Sequence, residues 1–277
     1  MVNILVPTDL SDLSKVAVQY AIKIANKLDG NITLLHVINV MHATRATMRL
    51  RLNALEQELM EIATEDLNDM VAEISRGVKT TEPIKVKIVK GASFNQTVKR
   101  EAQKLRSGLI IMGTRGASGL RKYVLGSNTA SVIEISHIPV LAVPELGEFK
   151  HFKNVVYASD LTHIERELKT LIPYFEKFDS IVHLIHVAKS LKEVSALEKK
   201  IDSVVERCGF SNVIVRVMVN KKIDEAIDHY TGVVKADLLA MFTHEASFYE
   251  KLFDRSMTRK MAFHSKVPLL AFKQRRK

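Results

Sequence analysis

The chain contains no tryptophan and a single cysteine, Cys208, among its 277 residues. One cysteine cannot form an internal disulfide, which excludes the small stapled scaffolds of secreted proteins. No Cys/His cluster has metal-ligand spacing and no H-E-x-x-H occurs, so a zinc centre is not expected. No apolar run reaches the ~18 residues that a membrane span requires. The opening MVNILVPTDL also lacks the basic region and long apolar core of a signal peptide. A soluble cytoplasmic protein is the expectation. Aromatic residues make up only 6% of the chain, and no basic stripe is interleaved with stacking rings. The net charge of +10 is also diffuse. Residues 1–149 carry 18 basic against 15 acidic side chains and residues 150–277 carry 23 against 16, with a cluster only at Lys273, Arg275, Arg276 and Lys277. Such a distribution reads as a solvated basic surface, and nucleic acid is not an expected partner.

What is present is ordinary globular composition, 47% hydrophobic and 26% charged, at a length better suited to two domains than one. Short β-rich apolar runs alternate with helical patterns. NILVPT is followed by Asp9, Ser11 and Asp12, then by Val16, Tyr20, Ile24 and Leu28 at helical spacing, then by Asp29-Gly30 and a second strand, NITLLHVI. A long helix, IKVKIV, a helix from about Asn95 to Leu105, GLIIMGT, a helix from Ser127 to Ile135 and PVLAV complete the first half. This alternation predicts a parallel sheet covered on both faces.

The second half repeats these elements in order. NVVYASDLT matches NILVPTDLS, VHLIHV matches ITLLHV, LLAMFTHEAS matches LIIMGTRGAS and KVPLLAF matches HIPVLAV. From Ile84 onward the offset is a constant 129, pairing Pro139 with Pro268 and Ser127 with Ser256, whereas at the start it is 151, pairing Asp9 with Asp160. Register held across several elements indicates a tandem duplication, with domains at 1–148 and 149–277. About 22 residues are therefore extra in the first half, between Met41 and Thr80. Their apolar positions Leu55, Leu59, Ala63, Leu67, Met70 and Ile74 predict a helix packed on the sheet. The preceding MHATRATMRLR, with Arg45, Arg49 and Arg51, is read as the start of that helix in preference to a lid.

Ligands of open parallel sheets bind outside the carboxyl ends of the strands. In the first half those ends carry Pro7-Thr8-Asp9, His36-Val37-Ile38 and Met112-Gly113-Thr114-Arg115-Gly116. Glycine permits positive φ and lets a ligand approach the backbone without a Cβ in the way. Gly126-Ser127 then opens a helix whose free N–H groups attract an anion. Two N–H-rich turns nine residues apart suit a polyphosphate. The P-loop pattern is absent, and no G-x-G-x-x-G follows the first strand.

The pattern G-x2-G-x9-G-[ST], met without a gap by Gly113, Gly116, Gly126 and Ser127, resembles that of the ATP-binding universal stress proteins (UspA-like), and the likeness extends over both halves. The resemblance implies two tandem five-stranded parallel α/β domains, Rossmann-like and similar to the adenine nucleotide alpha hydrolases. It implies that they pair through their last strands as a pseudo-dimer, with a homodimer as a further arrangement. It places ATP in the first domain, with Asp9 on the ribose and Pro7 and Thr8 shaping the adenine end. Val37 would lie against adenine and Met112 near the sugar and base. Gly113, Arg115 and Gly116 would meet the phosphates, and Gly126, Ser127 and Asn128 would close over them. Asp9 is also a weak candidate for holding Mg²⁺ beside ATP, and equally an N-terminal cap of the first helix.

The second half departs from this pattern: Phe242 replaces Gly113, Glu245 replaces Gly116 and Arg255 replaces Gly126, while Ser256 and Asp160 persist. This half is expected to keep the fold without the ATP site. His36 and His186 fall at equivalent places, which favours a structural role, and Cys208 reads as a small residue at a helix end. Ser127 lacks a base in a G-x-S-x-G elbow, and neither a general base nor an arginine finger is recognisable, so no catalytic residue is assigned and any ATPase activity should be slow. The expected function is nucleotide-dependent regulation in stress response. The alternatives are a slow ATP hydrolase or nucleotidyl transferase, and a nucleotide-independent scaffold or ligand-binding protein.

Overall fold

The computed structural model describes residues 2–39, 46–78, 80–114, 126–145, 149–243 and 267–273, with backbone alone for 46–52. The described chain divides into two compact units, the first ending at Glu145 and the second lying beyond it. Unit one runs β1 (Asn3–Thr8), α1 (Asp12–Leu28), β2 (Asn31–Asn39), α2 (Ala46–Gly77), β3 (Lys85–Gly91), α3 (Phe94–Lys104), β4 (Leu109–Gly113), α4 (Ser127–Ile135) and β5 (Val140–Val143). Its five strands are parallel in the order β3-β2-β1-β4-β5. β1 is buried from Ile4 to Thr8 without alternation, the signature of a strand covered by helices on both faces.

Local signals explain where the elements stop. Ser11 caps α1, its hydroxyl accepting from the Ser14 N–H, and the helix ends where Asp29 turns left-handed at φ 51°. Gly30 follows because the chain passes so close to β1 that a Cβ there would lie 2.8 Å from the Val2 carbonyl oxygen. Along α1, residues Ala17, Val18, Ala21, Ile22 and Ala25 lie buried on the sheet, small side chains bringing the helix close.

Unit two runs β6 (Asn154–Ala158), α5 (Ile164–Glu176), β7 (Ile181–Ala188), α6 (Leu191–Cys208), β8 (Val213–Val219), α7 (Ile223–Val233), β9 (Leu238–Thr243) and β10 (Leu269–Lys273). Its strands, again parallel, lie in the order β10-β9-β6-β7-β8, which is the order of unit one element for element. The 129-residue offset carries α3 onto α7 at both ends and the first residues of β4 and β5 onto those of β9 and β10.

The extra residues of the first repeat lie between β2 and β3, where α2 is 32 residues long against 18 for α6. Arg49 and Arg51 fall within α2, and Arg45 lies outside the described residues. The expected packing of this helix holds only for its second half. Ala63, Leu67, Met70 and Ile74 are buried, but Leu55 is 50% and Leu59 41% exposed. The two sets share helical spacing but occupy neighbouring stripes, and only one stripe meets the sheet.

Candidate functional site

In unit one the strand order reverses between β1 and β4, and the residues expected at the site gather at the carboxyl ends of β2, β1 and β4. Thr8 pairs in register with His36 of β2, so Asp9 and Val37 are level in the next row. Leu5 pairs with Ile110 of β4, and the same register continued sets Thr8 level with Gly113. Pro7 and Thr8 are buried, Val37 and Gly113 are half-buried, and Met112 is buried at 5% exposure. Asp9, Ser127 and Asn128 are exposed. Arg115 and Gly116 lie outside the described residues.

Asp9 sits in a tightly specified turn. The Thr8 hydroxyl accepts the Leu10 N–H at 3.0 Å and shares a 2.7 Å hydrogen bond with the Ser14 hydroxyl. Asp9 Oδ1 accepts both the N–H and the hydroxyl of Ser11. Leu10 is held left-handed at φ 66°, a strained conformation for leucine that these bonds hold in place. The imidazole Nδ1 of His36 lies 3.0 Å from the Thr8 carbonyl oxygen, tying the end of β2 to the same turn.

Beyond β4 the chain leaves at Thr114 and returns at Gly126, and these two residues meet. The Thr114 N–H donates to the Val143 carbonyl at 2.8 Å, and the Gly126 N–H donates to the Thr114 carbonyl. The Thr129 hydroxyl, in the first turn of α4, donates to the Gly113 carbonyl at 2.8 Å. This threonine escaped the sequence reading, although Thr258 lies at the equivalent place of the second repeat. Together these bonds fix the N-terminus of α4 against the end of β4. Among the described residues no side chain caps that helix, which leaves its first-turn N–H groups suited to an anion. Gly126 has φ −63° and ψ 151°, a conformation open to any residue. Of the two reasons for glycine, positive φ therefore does not apply here, and absence of a Cβ remains.

Unit two builds the same turn from different residues. The Ser159 hydroxyl accepts the Leu161 N–H at 3.0 Å, Asp160 Oδ1 accepts the Thr162 N–H at 2.9 Å, and Leu161 is left-handed at φ 64°. His186 Nδ1 lies 2.9 Å from the Ser159 carbonyl oxygen, as His36 does from that of Thr8. Both histidines therefore brace the fold.

What differs is the space beside the turn. Phe242, at the Gly113 position, is buried, and its ring stands edge-on to Tyr157 at 6.1 Å. Tyr157 replaces Val6 of the first repeat, and its hydroxyl donates to the buried Glu167 carboxylate with Ser159 beside them. Burial, and then the Glu167 charge, push the Tyr157 hydroxyl well above its ordinary pKa, keeping it a neutral donor. Glu245 and Arg255 lie outside the described residues.

The Universal stress protein family model matches residues 1–144, just over half of the chain. The chain belongs to the universal stress protein family. Universal stress protein MJ0531 of Methanocaldococcus jannaschii is 34% identical over 145 residues, covering 51% of this chain and 81% of its own. Universal stress protein Slr1230 of Synechocystis is 25% identical over 295 residues, covering 99% of this chain and 100% of its own. The crystal structure of a universal stress protein from Archaeoglobus fulgidus superposes with a TM-score of 0.72 at 23% identity, over 98% of each chain. This universal stress protein thus shares its double-length α/β architecture with a solved relative. Among its described residues, no helix is long and apolar enough to cross a membrane, and no group of three or more His, Cys, Asp or Glu side chains is gathered as for a metal ion.

Proposed function

We propose that the first domain of this universal stress protein binds ATP, or a related adenine nucleotide, and that the chain acts as a cytoplasmic nucleotide-dependent regulator in stress response. The observation that carries the reading is the start of α4, uncapped among the described residues, fixed beside Gly113 and level with the Asp9 turn. A helix N-terminus supplies N–H donors and a positive dipole end to phosphate oxygens, and Ser127 adds an exposed hydroxyl there. Asp9, already oriented by the Ser11 N–H, can accept from a ribose hydroxyl. Val37 offers a half-buried apolar surface in the next row for the base. Met112, being buried, supports the site from beneath, while Arg115, Gly116 and Asn128 belong to the phosphate end of the same proposal.

A Mg²⁺ ion accompanying ATP would take Asp9 as its single carboxylate and draw its remaining ligands from phosphate and water. In this reading the second domain acts as the built-in pairing partner of the first. Any hydrolysis of ATP should be slow, because among the described residues of the proposed site no base is placed to activate water.

Equilibrium titration of ATP and AMP into the purified protein and its Gly113→Phe variant tests the site. The wild type should bind one ATP per chain and hold it more tightly than AMP, and the variant should lose that binding. Undiminished ATP affinity in a folded variant would overturn the assignment.

A further inference from the structure

The proposed nucleotide site leaves unexplained the first half of α2, the part of the first repeat that has no counterpart in the second. There Leu55, Leu59 and Ile62 are 50%, 41% and 48% exposed, although they follow one another at spacings of four and three. In the sequence the same spacing runs back through Leu52 and Met48. Five apolar positions at alternating intervals of four and three form a heptad seam, the pattern by which one helix packs along another. The seam is bounded by charge, since its next positions would be Asp66 and Asp69 on one side and Arg45 on the other.

The seam is distinct from the face that holds α2 to its own domain. That face is formed by Ala63, Leu67, Met70 and Ile74, with Glu56 bonded to Lys90 of β3 at 2.7 Å, while beyond the apolar part of the seam Glu73 bonds Lys15 of α1 at 2.8 Å. At 3.6 residues per turn the seam lies roughly a fifth of the way around the helix from it. Among the described residues, docking α2 on the sheet therefore leaves Leu55, Leu59 and Ile62 of the seam exposed.

We infer that this seam is a self-association surface on which α2 of a second copy of the chain packs in the antiparallel direction. The charge pattern names the occupant and the direction. From Ala46 to Leu55 the helix carries Arg49 and Arg51 and no acid, whereas from Glu56 to Glu73 it carries seven acids and no base. Arg51, Glu58 and Glu65 recur every seven residues along one flank of the seam. An antiparallel pair sets the basic end of each helix beside the acidic stretch of the other, with position 51 facing position 65 and the two copies of position 58 meeting near the twofold axis. A parallel pair would lay acid along acid, which like-charge repulsion disfavours. The inference does not depend on nucleotide binding.

Sedimentation velocity of the full-length protein across a concentration series tests it. Monomer and dimer should exchange with concentration, and the Leu55→Lys/Leu59→Lys variant should weaken the dimer about tenfold or more. Its unfolding temperature should stay close to that of the wild type, because both leucines are exposed. In a Cys208→Ser background, Glu58→Cys should cross-link to itself on oxidation. Arg51→Cys should not cross-link to itself but should do so with Glu65→Cys. A protein monomeric at every concentration, a dimer indifferent to the leucine substitutions, or self-cross-linking at position 51 would each overturn the proposal.

Discussion

The ring of Phe242 stacks on that of Phe272, with centroids 4.9 Å apart and planes 19° apart, at the place that Gly113 and Val143 hold in the first repeat. Tyr157 and Tyr174 close the group edge-on, so four aromatic rings line the region where the first repeat has a bare glycine. Shortening Phe242 to alanine should destabilise the second domain by roughly 3–5 kcal/mol, the usual consequence of emptying an aromatic site in a core. Denaturant unfolding of the full chain measures the loss. ATP stoichiometry should remain one per chain in Phe242→Gly, since the rest of the glycine pattern is also missing there.

Asp9 and Asp160 make the same turn, each accepting a backbone N–H two residues on. Replacing either by alanine should lower stability by a similar amount, about 0.5–1.5 kcal/mol for one lost turn hydrogen bond. Only Asp9→Ala should also weaken nucleotide binding. Thermal unfolding and ATP titration of both variants separate the shared role from the specific one.

Thr129 bonds the Gly113 carbonyl from the first turns of α4. A Thr129→Val substitution preserves the shape and removes the donor, leaving that carbonyl without its partner. Stability should fall by roughly 1–2 kcal/mol, and ATP affinity should fall with it as α4 loosens from β4. An affinity unchanged by the substitution would show that α4 need not be fixed for binding.

Glu101, only 2% exposed, sits beneath Lys87, Arg100 and Lys104 at 2.8, 2.9 and 3.2 Å. Burial alone would raise its pKa, but hydrogen bonds from the three cations outweigh this and bring the carboxyl down to about 2. The folded value lies below the ordinary one near 4.5, so the stabilisation is complete above pH 4.5 and is lost as pH falls from there toward 2. Its size is on the order of 3 kcal/mol. The unfolding temperature of the wild type should drop more steeply across this window than that of Glu101→Gln.

Much of this architecture was legible because duplication supplies an internal control. A constant offset from Ile84 onward located α7, β9 and β10 from α3, β4 and β5, and Phe242 in place of Gly113 shows that this strand forms without a glycine at its end. Other features were not legible, for physical reasons. Leu55 and Leu59 share helical spacing with Leu67 and Ile74, and spacing alone cannot separate two apolar stripes a fraction of a turn apart. The Thr129 bond joins residues 16 apart in sequence, and a hydroxyl at the start of a helix reads equally well as a solvated side chain. Tyr157 replaces a valine within the first strand of the repeat without altering the order of elements, so its partnership with Glu167 leaves no mark in that pattern.

The paired left-handed leucines, Leu10 and Leu161, bear on how double-domain members of this family are sorted. Both copies keep the strained turn and its aspartate, yet only one keeps the glycines. A search that took the aspartate as its marker would score the two domains alike. Weighing the last residue of β4 instead would separate a domain with a bare glycine at that strand end from one in which aromatic rings are packed there.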